Sequence, residues 1–196
     1  MMDELSPPVD SWLLQNAATS VLGQEVISYA KYLGIKTINV VRREEAVNEL
    51  KLKGADVVLV GSEVDIVEEV RKATGGDMAW GALNPIGGPQ SKAFPSSVRT
   101  HGIVEVYSLV GDEVVVPMTD LVWRDVTVKG FWLSVWLDSL PPGKREKRLK
   151  ETMDLMAEKV LVPPPPGAKY NLADAKKAVK EAEGKSGSHG KVLLEG

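Results

Sequence analysis

The chain has 196 residues, of which 43% are hydrophobic and 26% are charged, and its formal net charge is -3. These values are typical of one soluble globular domain with a full-sized core. They argue against nucleic acid and membrane surfaces as partners, because both favour a basic footprint. The absence of cysteine excludes disulfides and thiolate metal ligands, and two distant histidines argue against a zinc site, so we expect no metal. No apolar run approaches the roughly 20 residues that span a bilayer.

The first half of the chain alternates short apolar strands with amphipathic helices. Gly34 follows the first helix as a C-cap glycine would. The third strand is almost entirely β-branched, which predicts burial on both of its faces. The hydrophobic pattern predicts strands at 12–15, 36–41 and 57–60, and helices at 21–33, 44–53 and 63–73.

The second half continues the alternation less regularly. A weak helix is predicted at 90–99, where Pro95 interrupts the pattern, and a proline spacer at 163–166 ends a long charged helix. The other predicted elements are strands at 78–83, 102–107, 125–133 and 191–194, helices at 144–159 and 171–183, an extended segment at 114–117 and a polar loop at 185–190.

Strands that alternate with helices predict a parallel sheet covered on both faces, because each connection is long enough for a right-handed crossover. The expected fold is therefore α/β, a doubly wound Rossmann-type sheet with a short C-terminal helix and strand appended. We divide the chain into a lead-in at 1–11, a cofactor-binding domain at 12–160 and a C-terminal segment at 161–196.

Ligands of this fold bind at the carboxyl ends of the strands, so the residues after each strand are the candidate site. After the first strand comes a small-residue loop, 16–20, in which Thr19 or Ser20 could cap the next helix beside a pyrophosphate. Only Gly23 remains of the glycine fingerprint GxGxxG. An ordinary capped turn without a ligand is the alternative interpretation.

Arg42 and Arg43 follow the second strand. A domain specific for NAD usually has an acidic residue there, which binds the ribose 2′-hydroxyl. Guanidinium groups instead pair with a 2′-phosphate, so the sequence predicts NADPH as the cofactor. Surface pairing with Glu44 or Glu45 is the alternative.

Three further segments follow the fourth, fifth and sixth strands. Residues 84–88 and 107–109 would lie beside the nicotinamide half of the cofactor. The segment 130–136 contains three aromatic residues among seven, although aromatics make up only 6% of the chain. A hydrophobic core or a dimer contact is the alternative explanation for this segment.

These residues resemble the mitochondrial 2-enoyl thioester reductases, zinc-independent members of the medium-chain dehydrogenase/reductase superfamily. The closing segment is similar across that superfamily and would not separate an enoyl reductase from a quinone reductase. The resemblance covers about 12–194 and rests on LQNA at 14–17, TINVVR at 37–42, ALN at 82–84 with GG at 87–88, GFWLS at 130–134, LADA at 172–175, Ala178 and GKVLL at 190–194.

The resemblance implies reduction of trans-2-enoyl thioesters, on acyl carrier protein or coenzyme A, by NADPH in mitochondrial fatty acid synthesis. It also implies a homodimer through the strand at 125–133. The cofactor residues that it implies are Ser20, Val21, Leu22 and Gly23 at the pyrophosphate, Arg42 and Arg43 at the 2′-phosphate, Tyr107, Ser108, Leu109, Phe131, Trp132 and Leu133 along the nicotinamide, and Lys191 as a further contact.

Family members carry a large catalytic lobe before the first strand, whereas about ten residues precede it here. Tyr29, Tyr107 and Tyr170 match no position of the family's active-site tyrosine, so no catalytic residue is assigned and the chain is expected to be inactive alone. Two alternatives stay open: the cofactor domain of a zinc-independent quinone or alkenal reductase, or a non-catalytic NADPH-binding or dimerisation module. The resemblance implies the mitochondrial matrix, although the acidic first ten residues resemble no transit peptide, and the cytoplasm is the alternative.

Overall fold

The computed structural model describes residues 1–162, 167–184 and 191–196. Its main element is a six-stranded parallel sheet in the order β3-β2-β1-β4-β5-β6, and a two-stranded parallel sheet pairs β7 with β8. The doubly wound Rossmann-type α/β fold is thereby confirmed. The strands are β1 (Trp12–Gln15), β2 (Lys36–Val41), β3 (Val57–Val60), β4 (Ala79–Leu83), β5 (Val98–Val106), β6 (Thr127–Gly130), β7 (Lys169–Asn171) and β8 (Leu193–Glu195).

Helices cover both faces of the six-stranded sheet, because alternate residues of each strand point to opposite faces. Leu14 packs with residues of α4 and α5 on one face, whereas Leu13 packs with residues of α1 and α2 on the other. The helices are α1 (Met2–Leu5), α2 (Val21–Tyr32), α3 (Ala46–Leu52), α4 (Ile66–Ala73), α5 (Ala93–Ser97), α6 (Met118–Val122), α7 (Leu133–Ser139), α8 (Lys144–Ala157) and α9 (Ala175–Gly184), with 3₁₀ turns at Pro89–Lys92 and Leu172–Asp174.

The first three strands have the predicted bounds, and the first helices end within a residue or two of the prediction. The predicted burial of the third strand on both faces was wrong. β3 lies at an edge of the sheet, and of its four residues only Leu59 is buried. A β-branched run therefore indicated a strand correctly but not its place in the sheet.

The segment after the fifth strand differs more from the prediction. The sixth strand ends at Gly130 rather than at 133, and a helix, α7, begins at Leu133. Short apolar runs fit both a strand and a helix, so periodicity alone could not separate them. The predicted helix at 90–99 is a 3₁₀ turn followed by α5, in which Pro95 is tolerated because it lies in the first turn.

The C-terminal segment is also divided differently. The predicted helix at 171–183 is preceded by β7 and a 3₁₀ turn, and α9 itself begins at Ala175. The last strand runs over Leu193–Glu195 rather than 191–194. The proline spacer at 163–166 and the loop at 185–190 lie outside the described residues. In the described part of the chain, no helix has the length and apolarity that crossing a membrane requires.

A buried carboxylate on β5 helps to hold helix α1 against the sheet, through a lysine on β6. Glu105 on β5 is fully buried, and Lys129 on β6 bridges it at 3.3 Å and Glu4 at 2.6 Å. Burial raises the pKa of Glu105 to about 7, while the hydrogen bond from Lys129 lowers the pKa of Glu4. The shared lysine thus anchors α1 on β5 and β6, and the backbone carbonyl of Leu5 accepts a 2.8 Å hydrogen bond from Trp80 Nε1.

Candidate functional site

The strand order reverses between β1 and β4, and that reversal marks the candidate site. β2 and β3 lie on one side of β1, and β4, β5 and β6 lie on the other. In open parallel sheets ligands bind at such a point, at the carboxyl ends of the strands. The loop from Asn16 to Ser20 leaves β1 here, and the Asn16 amide donates to the Leu83 carbonyl of β4 at 3.2 Å.

Ser20 begins α2 as its N-cap residue. Its backbone is extended, and its hydroxyl accepts a 3.0 Å hydrogen bond from the Gly23 amide. Other amides of this first turn have no partner within the helix and carry the positive end of its dipole. The loop and the helix N-terminus therefore suit a phosphate group.

Gly23 is required by its surroundings rather than by its backbone angles. A Cβ atom at this position would lie 2.6 Å from the Ala17 carbonyl oxygen and 2.7 Å from the Ala18 Cα atom. Both are backbone atoms, so the loop would have to move. The residue thus fulfils the role of the last fingerprint glycine, which lets the helix pack closely on the strand and its loop.

A buried polar network lies beneath this loop. Gln15 Nε2 donates to the Gly23 carbonyl at 2.9 Å and to Asn39 Oδ1 on β2 at 2.7 Å, and both side chains are fully buried. Asn39 Nδ2 donates to Thr37 Oγ1 at 2.9 Å, and the Thr37 amide donates to Asp56 Oδ2 at 2.8 Å. This network, which we call the Gln15–Asn39 network, links the first turn of α2 to β2 and to the start of β3.

A second amide pair joins β1 to β4 at the same edge. Asn84 Oδ1 accepts from Asn16 Nδ2 at 2.8 Å and from the Gly87 amide at 3.1 Å. Asn16 is 2% exposed and Asn84 is fully buried, yet Asn16 Oδ1 and Asn84 Nδ2 have no partner in the described structure. One free acceptor and one free donor remain at the edge, where an internal water or a bound ligand would satisfy them.

Arg42 and Arg43 follow β2 directly and are exposed. Their strand is paired with β1, so they lie on the same edge as the Ser20 loop, on the β2 side of the reversal. In this fold the pyrophosphate binds at the turn after the first strand and the adenosine ribose binds near the end of the second.

A large apolar cavity opens on the other side of the reversal. Its volume is about 1310 Å³, and it is bounded by α2, the ends of β5 and β6, α7 and α8. Burial raises the pKa of Tyr107 to about 12, and the buried hydroxyl of this residue has no hydrogen-bond partner in the described structure. The residues on its wall include Leu22, Tyr107, Ser108, Leu109, Phe131, Trp132 and Leu133, which the sequence singled out, and Tyr29, Trp136, Leu149 and Leu155.

The structure brings most of the sequence-predicted site residues to one edge of the sheet. Ser20, Val21, Leu22 and Gly23 lie at the start of α2, and the residues after β5 and β6 line the cavity. Lys191 is the exception. It precedes β8 in the separate two-stranded sheet, and no described side-chain contact connects it to the six-stranded sheet.

Sequence reasoning missed Gln15 and Asn39 as parts of the site. Both appear only within the segments that carry the family resemblance, although each places an amide in a strand that is almost entirely buried. Buried amides are seldom left unpaired, so a polar residue at such a position is a signal for an internal network. The contribution of α8 to the cavity was also missed, because charged residues outnumber its large apolar ones, which are Leu149, Met153, Leu155 and Met156.

The chain matches the family model described as zinc-binding dehydrogenase over residues 21–158. That match covers more than half of the chain. The chain belongs to the zinc-binding dehydrogenase family. The described residues contain no group of three or more histidine, aspartate or glutamate side chains that could bind a metal ion.

Two named relatives show which proteins of this family the chain resembles. The chain is 38% identical over 144 residues to the mitochondrial enoyl-[acyl-carrier-protein] reductase of Caenorhabditis elegans, covering 70% of this chain and 40% of that protein. It is 30% identical over 192 residues to the enzyme of the same name from Xenopus tropicalis, covering 93% of this chain and 54% of that protein. The predicted resemblance to mitochondrial enoyl thioester reductases is confirmed, and the chain spans about half the length of these relatives.

A solved structure described as an NADPH:quinone reductase from Bacillus thuringiensis has the same fold. It superposes with a TM-score of 0.91 at 27% identity, covering 100% of this chain and 59% of that chain. The match extends over the whole described fold, including the C-terminal elements. It therefore shows that the two chains share one fold.

Proposed function

We propose that this chain is the NADPH-binding domain of an oxidoreductase that reduces trans-2-enoyl thioesters. The observation that carries the proposal is the pairing of a capped, glycine-dependent loop after β1 with Arg42 and Arg43 after β2, on one edge of the sheet. The relatives named enoyl-[acyl-carrier-protein] reductases support the substrate class. Acyl carrier protein or coenzyme A would carry the thioester.

The residues fit the cofactor in three places. The first turn of α2, from Ser20 to Gly23, would bind the pyrophosphate through its amides. The guanidinium groups of Arg42 and Arg43 would bind the 2′-phosphate. The nicotinamide would lie towards the ends of β5 and β6, where the assigned residues are Tyr107, Ser108, Leu109, Phe131, Trp132 and Leu133. When bound, NADPH supplies a hydride to the β-carbon of the enoyl group.

The protein residues contribute binding and exclusion of water rather than an assigned proton donor. The apolar wall beside the nicotinamide position would shield the acyl group from water, which strengthens electrostatic interactions within the site. Lys191 stays a proposed contact without support from its position in the structure. The domain division at 1–11, 12–160 and 161–196 also stays a proposal, with the last segment packing against a catalytic lobe.

A quinone or alkenal reductase is the second candidate. The Bacillus thuringiensis structure favours it, because that structure superposes with a TM-score of 0.91 over 100% of this chain. The aromatic segment after β6 favours the enoyl thioester. For the location, the mitochondrial names of the relatives support the mitochondrial matrix.

The cofactor assignment predicts that NADPH binds at least about tenfold more tightly than NADH. Charge-assisted hydrogen bonds contribute on the order of 1.5–3 kcal/mol, and only NADPH offers the phosphate that forms them with Arg42 and Arg43. Quenching of tryptophan fluorescence gives both dissociation constants. The Arg42→Ala/Arg43→Ala variant should bind the two cofactors equally, while Arg71→Ala, a similar change on α4, should keep the preference. Equal affinities in the unchanged protein would reject the assignment.

We further propose a homodimer formed through β6, the exposed edge of the six-stranded sheet. Unpaired strand edges favour pairing with a second chain. The helix before this strand adds apolar surface, since Met118, Val122 and Trp123 are 77%, 71% and 82% exposed. Arg124 donates to Asp120 Oδ1 at 2.7 Å and also to the Val98 carbonyl of β5, which fastens that helix to the sheet.

The dimer proposal predicts a dimeric mass in light scattering at micromolar concentration. Val122→Asp should shift the protein to a monomer, because it places a charge in the apolar contact. Leu52→Asp is the matched control, since Leu52 is 90% exposed on α3, away from β6. A stable monomer in the unchanged protein, or equal effects of the two substitutions, would refute the dimer.

A further inference from the structure

The start of α8 concentrates positive charge in a chain that is acidic overall. Residues 144–150 contain five cations and one anion, whereas the whole chain has a net charge of -3. All of these residues except Arg148 are exposed. We call Lys144, Arg145, Lys147 and Arg148 the basic turn. Positive charges clustered in this way create a local electrostatic potential that attracts acidic partners.

The position of these cations works against the helix that carries them. The N-terminus of a helix is the positive end of its dipole, so cations there are unfavourable and carboxylates are favourable. The N-cap residue is Gly143, which provides no side-chain hydrogen bond to the first turn. A local arrangement that costs helix stability is typical of a functional surface.

Neighbouring carboxylates neutralise the basic turn only in part. Arg148 is paired with Asp3 at 2.8 Å and with Glu151 at 2.7 Å. Arg145 and Lys147 have longer contacts, 3.7 Å to Asp138 and 3.8 Å to Glu151. Within the described residues no ion pair involves Lys144. Exposed pairs of this kind contribute little to stability, so a partner could replace them.

The basic turn lies at the border of the apolar cavity. Arg148, Leu149, Thr152 and Leu155 of α8 line that cavity. Residues four apart share a helix face, so Lys144 and Arg145 precede Arg148 and Leu149 on the same side by one turn. One face of α8 thus passes from cationic to apolar, which suits a partner that carries an acidic surface and an apolar chain together.

We propose that the basic turn of α8 docks the acidic surface of an acyl carrier protein whose acyl chain enters the adjoining cavity. This inference rests on the proposed function, and it identifies acyl carrier protein rather than coenzyme A as the carrier of the acyl chain. Side chains that follow one another around a helix diverge and do not converge on one phosphate group. A broad acidic protein surface can contact several of them, whereas coenzyme A offers its phosphates at fewer points.

The test measures binding of the 196-residue chain to holo acyl carrier protein by titration calorimetry. The variant Lys144→Glu/Arg145→Glu/Lys147→Glu should bind at least about tenfold more weakly. The matched control is Lys176→Glu/Lys177→Glu/Lys180→Glu on α9, which makes the same change in net charge and should bind as the unchanged chain does. Raising the salt from about 0.05 M to about 0.5 M should weaken binding of the unchanged chain and of the α9 control, and should affect the α8 variant less.

Thermal unfolding supplies a readout that separates docking from a structural role. The α8 variant should unfold at about the same temperature, because its glutamates suit the helix dipole and thereby offset the loss of the two long ion pairs. NADPH titration of the same samples tests the proposed function separately, since Arg42 and Arg43 are unchanged. Absence of carrier binding while NADPH binds, equal losses in the two variants, or tighter binding of coenzyme A alone or of anionic phospholipid vesicles would overturn the inference.

Discussion

The 196-residue chain is expected to bind NADPH and to leave enoyl thioesters unreduced. Hydride transfer requires the nicotinamide and the substrate in a near-attack arrangement, which can supply roughly 7–11 kcal/mol of the reduction in the barrier. The cavity in the described structure is lined mainly by apolar residues of α1, α2, α7, α8 and the ends of β5 and β6. Tyr107 is the one tyrosine there at a strand end, and burial raises its pKa to about 12. No donor that would stabilise an enolate oxygen is assigned among the residues that line this cavity.

The measurement is the decrease in NADPH absorbance with crotonyl- and hexenoyl-coenzyme A at high protein concentration. A preparation mixed with the catalytic half of a relative serves as the positive control for the substrates. Turnover by the chain alone that disappears in a Gly23→Trp variant would contradict the expectation. Tyr107 or Ser108 would then be the first candidates for the missing proton donor.

The second large effect is expected from Gly23→Ala, a change of one methyl group. Alanine is the better helix former by about 1 kcal/mol. The new Cβ atom, however, would lie 2.6 Å and 2.7 Å from backbone atoms of Ala17 and Ala18. Overpacking costs typically about 1–3 kcal/mol, and here the strained atoms belong to the loop that would bind the pyrophosphate. We therefore expect a lower melting temperature and NADPH binding weakened by about tenfold or more.

Gly130→Ala is the control for thermal stability. Its Cβ atom would have Val106 O as its nearest neighbour, at 4.0 Å, so the same methyl group meets open space. Its melting temperature should stay close to that of the unchanged protein. Equal melting temperatures and NADPH affinities for Gly23→Ala and the unchanged protein would show that the loop adapts without loss.

Much of the fold could be predicted because strands and helices bury different patterns of residues. The runs at 12–15 and 36–41 are apolar, short and bounded by turn residues, and both strands have the predicted bounds. The aromatic segment after Gly130 could not be assigned in the same way. No residue of α7 is buried, so burial imposes neither the strand period nor the helix period on the hydrophobic residues of this segment.

The candidate site could likewise be predicted only in part from the sequence. Residues that follow strands, such as Ser20 and Arg42, can be located from the sequence because the fold places every strand end on one edge. The contacts of Gln15 and Asn39 depend on which strands are neighbours, and strand order is not visible in a local pattern. The cavity beside α8 depends on how a distant helix returns to the sheet. Lys191 was assigned by resemblance alone, and no described contact supports that assignment.

The Gln15–Asn39 network has a consequence for how a dinucleotide would be received. Its hydrogen bonds connect the first turn of α2 to the strand that directly precedes Arg42, so the adenosine half of the site is assembled before any ligand arrives. The other half borders on α7 and α8, which contain no buried residue. Binding would therefore reduce conformational freedom mainly in the nicotinamide half of the site, whereas the adenosine half is already rigid before binding.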